Sequence, residues 1–513
     1  MGMIIKTFAG IGLVFLTGCA VKGPNFSPPE SHLSTTWNVD QSVDTRAVVT
    51  TNVATNPLAD PDPNWWHSFN DTLLDSLEQR AVAGNLDLQV ALLRIAASRS
   101  QEQIARAQGL PNLKAAASYD REQLGLEGIL KSAGPLPPSL QNNPATGPIE
   151  SQLTDPINLY TVALDASWEL DLFGKVTRSV EAAAAQSHAN EEARNGALVA
   201  LQAEVAQTYA QLRAAQALRA LTIKELSDEQ QILDLTKDLQ KSGLGNQSDV
   251  ESLVSQVAQN QALLPQYEIQ ITQTCNALAV LIGVNPGTLN AELTIDGKII
   301  ALPDVIAIGV PASLARRRPD IREAEENLHA ATAETGVAIA SLYPDLSLGA
   351  QYGLRNTTTK YLFNWASRFY SVGPSISLPI FQGGSLTANV HLAKAEQAAA
   401  AIMYRKTVLN ALQEVENALI SFHQDQLRAQ SLKTATQANN RALALNSNAY
   451  QHGLINFITV LNSERQAVQT QTQWTTAQVQ LSTDLITLYK ALGGGWEINP
   501  PIIAADIESN GLK

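Results

Sequence analysis

The sequence predicts an α+β membrane protein built by internal duplication, each half supplying two β-strands and one very long helix. Three observations predict it. The stretch NLYTVALDASWELDLFG (158–174) alternates between apolar and polar residues for far longer than an ordinary strand of about 5–6 residues. The run 175–242 contains no proline and one interior glycine, Gly196. The same order of parts is also written twice along the 513 residues.

The N-terminus sets the compartment. Lys6 precedes the apolar run FAGIGLVFL (8–16), well short of the ~20 residues of a spanning helix, so 1–18 reads as a secretory signal peptide. It closes in LTGC (16–19), which resembles the lipobox of bacterial lipoproteins. That resemblance implies cleavage before Cys19, acylation of its thiol and amine, and a lipidated extended segment 19–70. Ala20 after the cysteine, in place of aspartate, favours the outer membrane under enterobacterial sorting. Of the two cysteines, Cys275 is then left in a helical stretch as a small core residue, so neither a disulfide nor a zinc site is expected. A net charge of −13 argues against nucleic acid as a partner. No other segment has 18 uncharged apolar residues, so a bilayer would have to be crossed by strands.

The strands follow in order at 113–123, 158–174, 346–355 and 370–380. In the second, Tyr160, Val162, Leu164, Ala166, Trp168, Leu170 and Leu172 share one face. Asp165, Glu169 and Asp171 share the other and are predicted to face a wet barrel lumen, or the periplasmic tunnel beneath it. Pro374 and Pro379 remove backbone donors from the fourth strand. The Pro-, Gly- and Asn-rich stretch 124–157 reads as an exposed loop.

Helices are predicted over 85–108, 175–242 and 247–282 in the first half, and over 318–340, 385–452 and 456–492 in the second. Each long helix carries an amphipathic stripe, such as Leu198, Leu201, Val205, Thr208 and Leu212, and would span roughly 100 Å. Gly243 and Gly453 read as helix stops. Pro265 should kink its helix or end it early. The two short helices of each half sum to roughly 90 Å, enough to stack end to end beside the long one. Segments 20–70, 283–317 and 493–513 would gather where the short helices meet.

Repetition is visible in pairs of short segments. QGLPNLKAAASY (108–119) resembles SLYPDLSLGAQY (341–352), WELDLFGK (168–175) lies over ISLPIFQGG (376–384), and KSGLGNQSDV (241–250) matches QHGLINFITV (451–460). Four strands cannot close on themselves, since small barrels need about eight. Open edges in lipid cost several kcal/mol per unpaired group, so partner chains are required, two or three in all.

Enzymatic readings are poor. The seven histidines are scattered, and there is no G-x-S-x-G elbow and no Walker loop, so no catalytic residue, cofactor or metal is expected. RRRPD (316–320) reads as a helix-start element with Pro319 in the first turn.

The lipobox, WWHSFND (65–71), NLDLQVALLRIAASRSQ (85–101), LPNL (110–113), WELDLFGKV (168–176), RRRPDI (316–321), YPDLSL (343–348) and ALGGGW (491–496) together resemble the TolC-like outer membrane factors of tripartite efflux pumps, specifically the NodT-type lipoproteins. The resemblance implies a homotrimer with a twelve-stranded outer-membrane barrel, four strands per chain, continued by a long α-helical barrel into the periplasm. It divides the chain into a first repeat at 71–282, an equatorial connection at 283–317, a second repeat at 318–492 and an equatorial tail at 493–513. It implies conduction of small molecules without chemistry of its own, from a periplasmic membrane fusion adaptor and an inner-membrane pump of the resistance–nodulation–division type.

Carried over residue by residue, Gly243, Leu244, Gly453 and Leu454 are adaptor-contacting tips. The family's aspartate ring falls on Thr459 and Asn462, both uncharged, which puts an acidic gate from this repeat in doubt. Asp249 keeps two readings, as a gate carboxylate or as a first-turn residue stabilised by its helix N-terminus. Two other functions share parts of this pattern: an outer membrane channel for type I protein secretion, and a coiled-coil lipoprotein that never spans the membrane.

Overall fold

The structure, a computed structural model, describes residues 21–29, 37, 54–56, 59, 62–123, 156–243 and 245–498. Cys19, Leu244, the segment 1–18, the loop 124–155 and the tail 499–513 lie outside the described residues. The elements run β1 (Ala54–Asn56), α1 (Thr72–Gly84), α2 (Leu86–Gln108), β2 (Asn112–Glu122), β3 (Ile157–Leu170), α3 (Lys175–Lys241), α4 (Gln247–Gln261) and α5 (Leu264–Ile282). They continue as α6 (Asn290–Leu293), β4 (Val305–Ala307), α7 (Pro311–Arg317), α8 (Pro319–Ala340), β5 (Asp345–Asn356), β6 (Arg368–Ser377), α9 (Ser385–Gln451) and α10 (Phe457–Leu492). The order helix, two strands, long helix, shorter helix occurs in both halves. The two long helices, α3 and α9, are each 67 residues, about 100 Å at 1.5 Å per residue.

The boundaries correct several sequence expectations. Helix 247–282 is two helices, because Pro265 has no amide to donate and falls in the first turn of α5, after a break at Ala262 and Leu263. The strand expected over 158–174 stops at Leu170, where the chain turns through Leu172, Phe173 and Gly174 into α3. The fourth strand runs 368–377, not 370–380, and ends before Pro379. The connection 283–317 carries α6, β4 and α7. Helix α1 was not expected; Asp71 begins it, its Oδ1 accepting from the amides of Leu73 and Leu74.

The chain forms two compact units. One holds Met1–Phe26, Arg99–Ala185 and His329–Ala398. It contains the antiparallel sheet β2-β3-β5-β6, with β3 and β5 central and β2 and β6 at the edges. Residues 22–26 pack beside the start of α3: Lys22 donates its amide to Phe173 O at 3.0 Å, Arg178 donates to Asn25 Oδ1 at 2.5 Å, and Phe26 stacks on His329 at 4.4 Å. This beginning of the expected extended segment therefore joins the sheet-bearing unit, while Trp37 and β1 belong to the other.

The second unit holds Ser27–Ser98, Gln186–Leu328 and Ala399–Lys513. Its core joins the stripe of α3 (Leu198, Val205, Leu212) to Leu74, Leu77, Leu278, Cys275, Phe422, Leu485 and Leu488. The WWHSF segment is a 3₁₀ turn that buries Trp65 and Phe69, with Trp65 stacked on Tyr489 at 5.1 Å. Polar groups inside are tied off in a chain: Arg213 donates to Tyr209 Oη at 2.9 Å, and Tyr209 donates to Asp71 Oδ2 at 2.7 Å. β1 pairs in parallel with β4, and Trp37 Nε1 donates to Gly309 O at 2.9 Å, fixing part of segments 20–70 and 283–317 together.

Candidate channel wall and helical tips

The sheet register sorts side chains by face, because residues directly opposite across a ladder point the same way. One rung aligns Tyr119 with Tyr160, and others align Leu113–Ala166–Ala350–Val372, Ala115–Leu164–Tyr352–Tyr370 and Trp168–Leu348–Pro374. Over these rungs the face is apolar on all four strands, and its large members stand exposed: Val162, Leu164, Trp168, Tyr352, Tyr370, Val372 and Ile376. At the Tyr160 end it gives way to Arg121, Asn158, Asn356 and Arg368. Pro374, on the edge strand β6, belongs to it too, so its missing amide disturbs no central ladder.

The opposite face runs Lys114–Asp165–Gln351–Ser371, with Asn112–Ser167–Gly349–Gly373 beside it. Gln351 Nε2 donates to Asp165 Oδ1 at 2.6 Å, and Lys175 Nζ lies 3.4 Å from Glu169 Oε1. Arg355 covers the Phe369 ring at 4.4 Å on this same side. A sheet apolar and unpacked on one side and polar on the other is the pattern of a lipid-facing wall around a wet interior. The tyrosines add the amphipathic rings found at membrane interfaces; Tyr119 and Tyr160 lie 4.9 Å apart near one end of β3, and Trp168 lies near the other.

Asp165 and Glu169 thus lie on the polar face. Asp171 does not: it follows the end of β3, and its carboxylate accepts from the amides of Val176 and Thr177 at 3.2 and 2.7 Å and from Thr177 Oγ1. The reason is local, since α3 begins at Lys175 and leaves first-turn amides that a carboxylate four residues earlier satisfies.

The two tips are built alike. Gly243 follows α3 with φ +74°, and Gly453 follows α9 with φ +72°, the left-handed conformation that glycine adopts without strain. Asn246 and Asn456 then cap the returning helices, accepting from the amides of Ser248 and Thr459 at 3.2 and 3.1 Å. Asp249 and Thr459 occupy the same position after these caps. Asp249 is half-buried in the first turn of α4 and close enough to raise the Tyr450 hydroxyl, whose larger perturbation is burial. Thr459 and Asn462 are exposed, and Leu454 is 76% exposed at the turn. Behind the turns, Leu233, Val250, Leu253, Val257, Phe457 and Leu461 form a small separate core.

Sequence reasoning missed two features. Arg318, in RRRPD, is buried and donates to Ala491 O at 2.7 Å, to both oxygens of Asp320 and to Glu414 Oε2 at 2.7 Å. Pro319 opens α8 beside it. The second is a group of carboxyls one turn behind the tip core: Glu225 and Glu229 from α3 and Glu464 from α10. Burial first, then Glu229 and Glu464, raises Glu225 to about 7. Burial first, then Glu229 and Asp228, raises Glu464 to about 7 as well. Among the described residues no group of three His, Cys, Asp or Glu side chains is arranged to hold a metal ion, and no helix is long and apolar enough to cross a membrane.

Comparison with known proteins agrees with this geometry. The family of outer membrane efflux proteins matches twice, at residues 77–284 and 310–494, one match per repeat. The solvent efflux pump outer membrane protein SrpC of Pseudomonas putida is 31% identical over 508 residues, covering 97% of this chain and 100% of its own. Nodulation protein T of Rhizobium leguminosarum bv. viciae is 30% identical over 489 residues, covering 94% and 92%. The solved structure of the outer-membrane channel OprN superimposes with a TM-score of 0.80 at 30% identity, over 93% of this chain and 100% of that one. The chain belongs to the outer membrane efflux protein family, and it is an outer-membrane efflux channel of TolC-like fold, not an enzyme.

Proposed function

We propose that the chain is the outer-membrane conduit of a tripartite efflux system of the resistance–nodulation–division type, carrying small molecules outward from a periplasmic adaptor and an inner-membrane pump. The single observation that carries this is the sheet: four strands with one exposed apolar face, one polar face, and edges at β2 and β6 that pair with no other strand among the described residues. Three copies would supply twelve strands and close those edges in lipid, with the paired long helices of each copy continuing the passage. Acylation at Cys19 would hold the N-terminus at the membrane. That fits residues 22–26 being tied to the sheet-bearing unit. Gly243, Leu244, Gly453 and Leu454 would present the turns to the adaptor, and Asp249 would supply the carboxylate that Thr459 and Asn462 lack.

The relative named for solvent efflux favours small apolar cargo over secreted protein. Reconstitution of the purified full chain in planar lipid bilayers tests the reading. Discrete ohmic conductance steps are expected, and a preparation that inserts yet conducts nothing would overturn it. In cells, deletion should raise accumulation of a lipophilic dye, and Cys19→Ser should abolish labelling by a palmitate analogue.

A further inference from the structure

We infer that Glu225, Glu229 and Glu464 form a proton-responsive latch that controls how tightly the α3–α4 tip packs on the α9–α10 tip. Glu229 stands one turn before Leu233, and Glu464 stands one turn after Leu461, so both abut the small core that joins the two tips. Glu229 is 1% exposed and Glu464 is 6% exposed. Buried carboxylates ordinarily find partners. Here Glu225 Oε1, Glu229 Oε2 and Glu464 Oε2 are buried without any, while Asn260 Nδ2 donates to Glu229 Oε1 at 2.6 Å and Gln256 also hydrogen-bonds the Glu229 carboxyl. Glu225 and Glu464 also line an open groove of about 600 Å³ between α3, α9 and α10, which gives protons and water a route to the group.

The charges that face the group come from two helices. Helix α3 adds Asp228 and, beside Glu225, Lys224. Helix α10 adds Arg465, which favours the ionised forms of Glu229 and Glu464 but is itself bonded to Gln256 Oε1 of α4 at 3.1 Å. Helix α9 faces the groove with Asn440, Leu443, Ser447 and Gln451, none of which titrates, and α4 contributes Asn260 and Gln256. One nearby arginine and one lysine cannot neutralise four carboxylates in a partly dry contact, so ionisation sets like charges against each other across the joint between α3 and α10.

The sign follows from linkage. Carboxyls held above their ordinary range when packed bind more protons in the packed arrangement than in the separated one. Packing therefore has its full proton-linked support below about pH 5 and loses it as pH rises through 7, so alkaline conditions loosen the tips.

This inference rests on the reading of the tips as one mouth of the conduit. The test is single-channel conductance of the full chain in planar bilayers at several pH values from about 5 to 8.5, comparing wild type with the double variant E225Q/E464Q. Wild type should show a conductance rise with its midpoint near neutrality, and the variant should lose that rise. As a second measurement, spin labels at the exposed positions Asp238→Cys and Asn448→Cys, in a Cys275→Ala background, should report a distance that grows over the same pH range in wild type and stays constant in the double variant. A pore with no pH step, a step that survives in the variant, or a label distance that ignores pH overturns the latch alone. Absence of any pore at every pH overturns the conduit itself.

Discussion

Gln351 and Asp165 meet across the two central strands, Nε2 to Oδ1 at 2.6 Å, while the rung beside them pairs Leu164 with Tyr352 on the opposite face. One residue of register separates a hydrogen-bonded polar ladder from an exposed apolar one. A slip by one position would invert every side chain of β3 and β5.

That separation makes substitutions on β3 asymmetric. Leu164→Arg, on the apolar face, should destabilise the assembled sheet by about 2–4 kcal/mol if that face meets the middle of a bilayer. Ser167→Arg, on the polar face, should change stability little. Urea unfolding in liposomes, followed by the loss of heat-modifiable migration on gels, distinguishes the two.

The tip glycines should be sensitive to backbone conformation and not to bulk. No atom lies within 4 Å of a Cβ built on Gly243 or Gly453, yet both need positive φ. Gly453→Ala should cost about 1–2 kcal/mol locally. Gly453→Asn should cost less, since asparagine tolerates that region better. Hydrogen exchange at the amides of 454–462 should quicken in the alanine variant, while the sheet amides stay unchanged.

Arg318 holds the start of α8 to the end of α10 through its bond to Ala491 O. Asp320 and Glu414 are themselves largely solvated, so the loss in Arg318→Met comes mainly from the stranded carbonyl, about 1–3 kcal/mol. Arg318→Lys should recover only part of it, because a single ammonium cannot reproduce the planar fork. Thermal unfolding of the detergent-solubilised protein reads both values.

Glu78 gives a pH prediction away from the tips. It is fully buried in α1 with neither oxygen bonded, and burial, followed by the neighbouring Asp75, holds its carboxyl well above the usual range. A carboxyl raised in the folded state retains a proton that the unfolded chain releases, so stability falls as pH rises above about 4.5. Glu78→Gln should flatten that dependence and raise the melting temperature at pH 7 relative to wild type, with no gain at pH 4. A variant less stable than wild type at pH 7 would contradict this account.

The sheet was legible because lipid on one side and water on the other impose a period of two on the sequence itself. The strand's end was less legible: the alternation of residue types runs on past Leu170, whereas the strand stops where Gly174 and the first turn of α3 need a turn and the Asp171 carboxylate. The tips were legible from Gly243 and Gly453, since a glycine after a long uninterrupted helix usually marks a left-handed stop. The carboxyl cluster was not legible. Glu225 and Glu464 lie far apart in sequence, and each sits on a helix whose local pattern resembles an ordinary solvated face. Helix α1 is legible too, since Asp71 followed by Leu74, Leu77 and Ala81 carries the cap and the stripe of a helix.

The most direct measurement is native mass spectrometry of the full-length protein released from lipid nanodiscs. Edges at β2 and β6 that cannot remain open in a bilayer require neighbouring copies, and under the proposed trimer the particle's mass should be three times that of the acylated subunit. A stable single chain in the nanodisc would contradict the account.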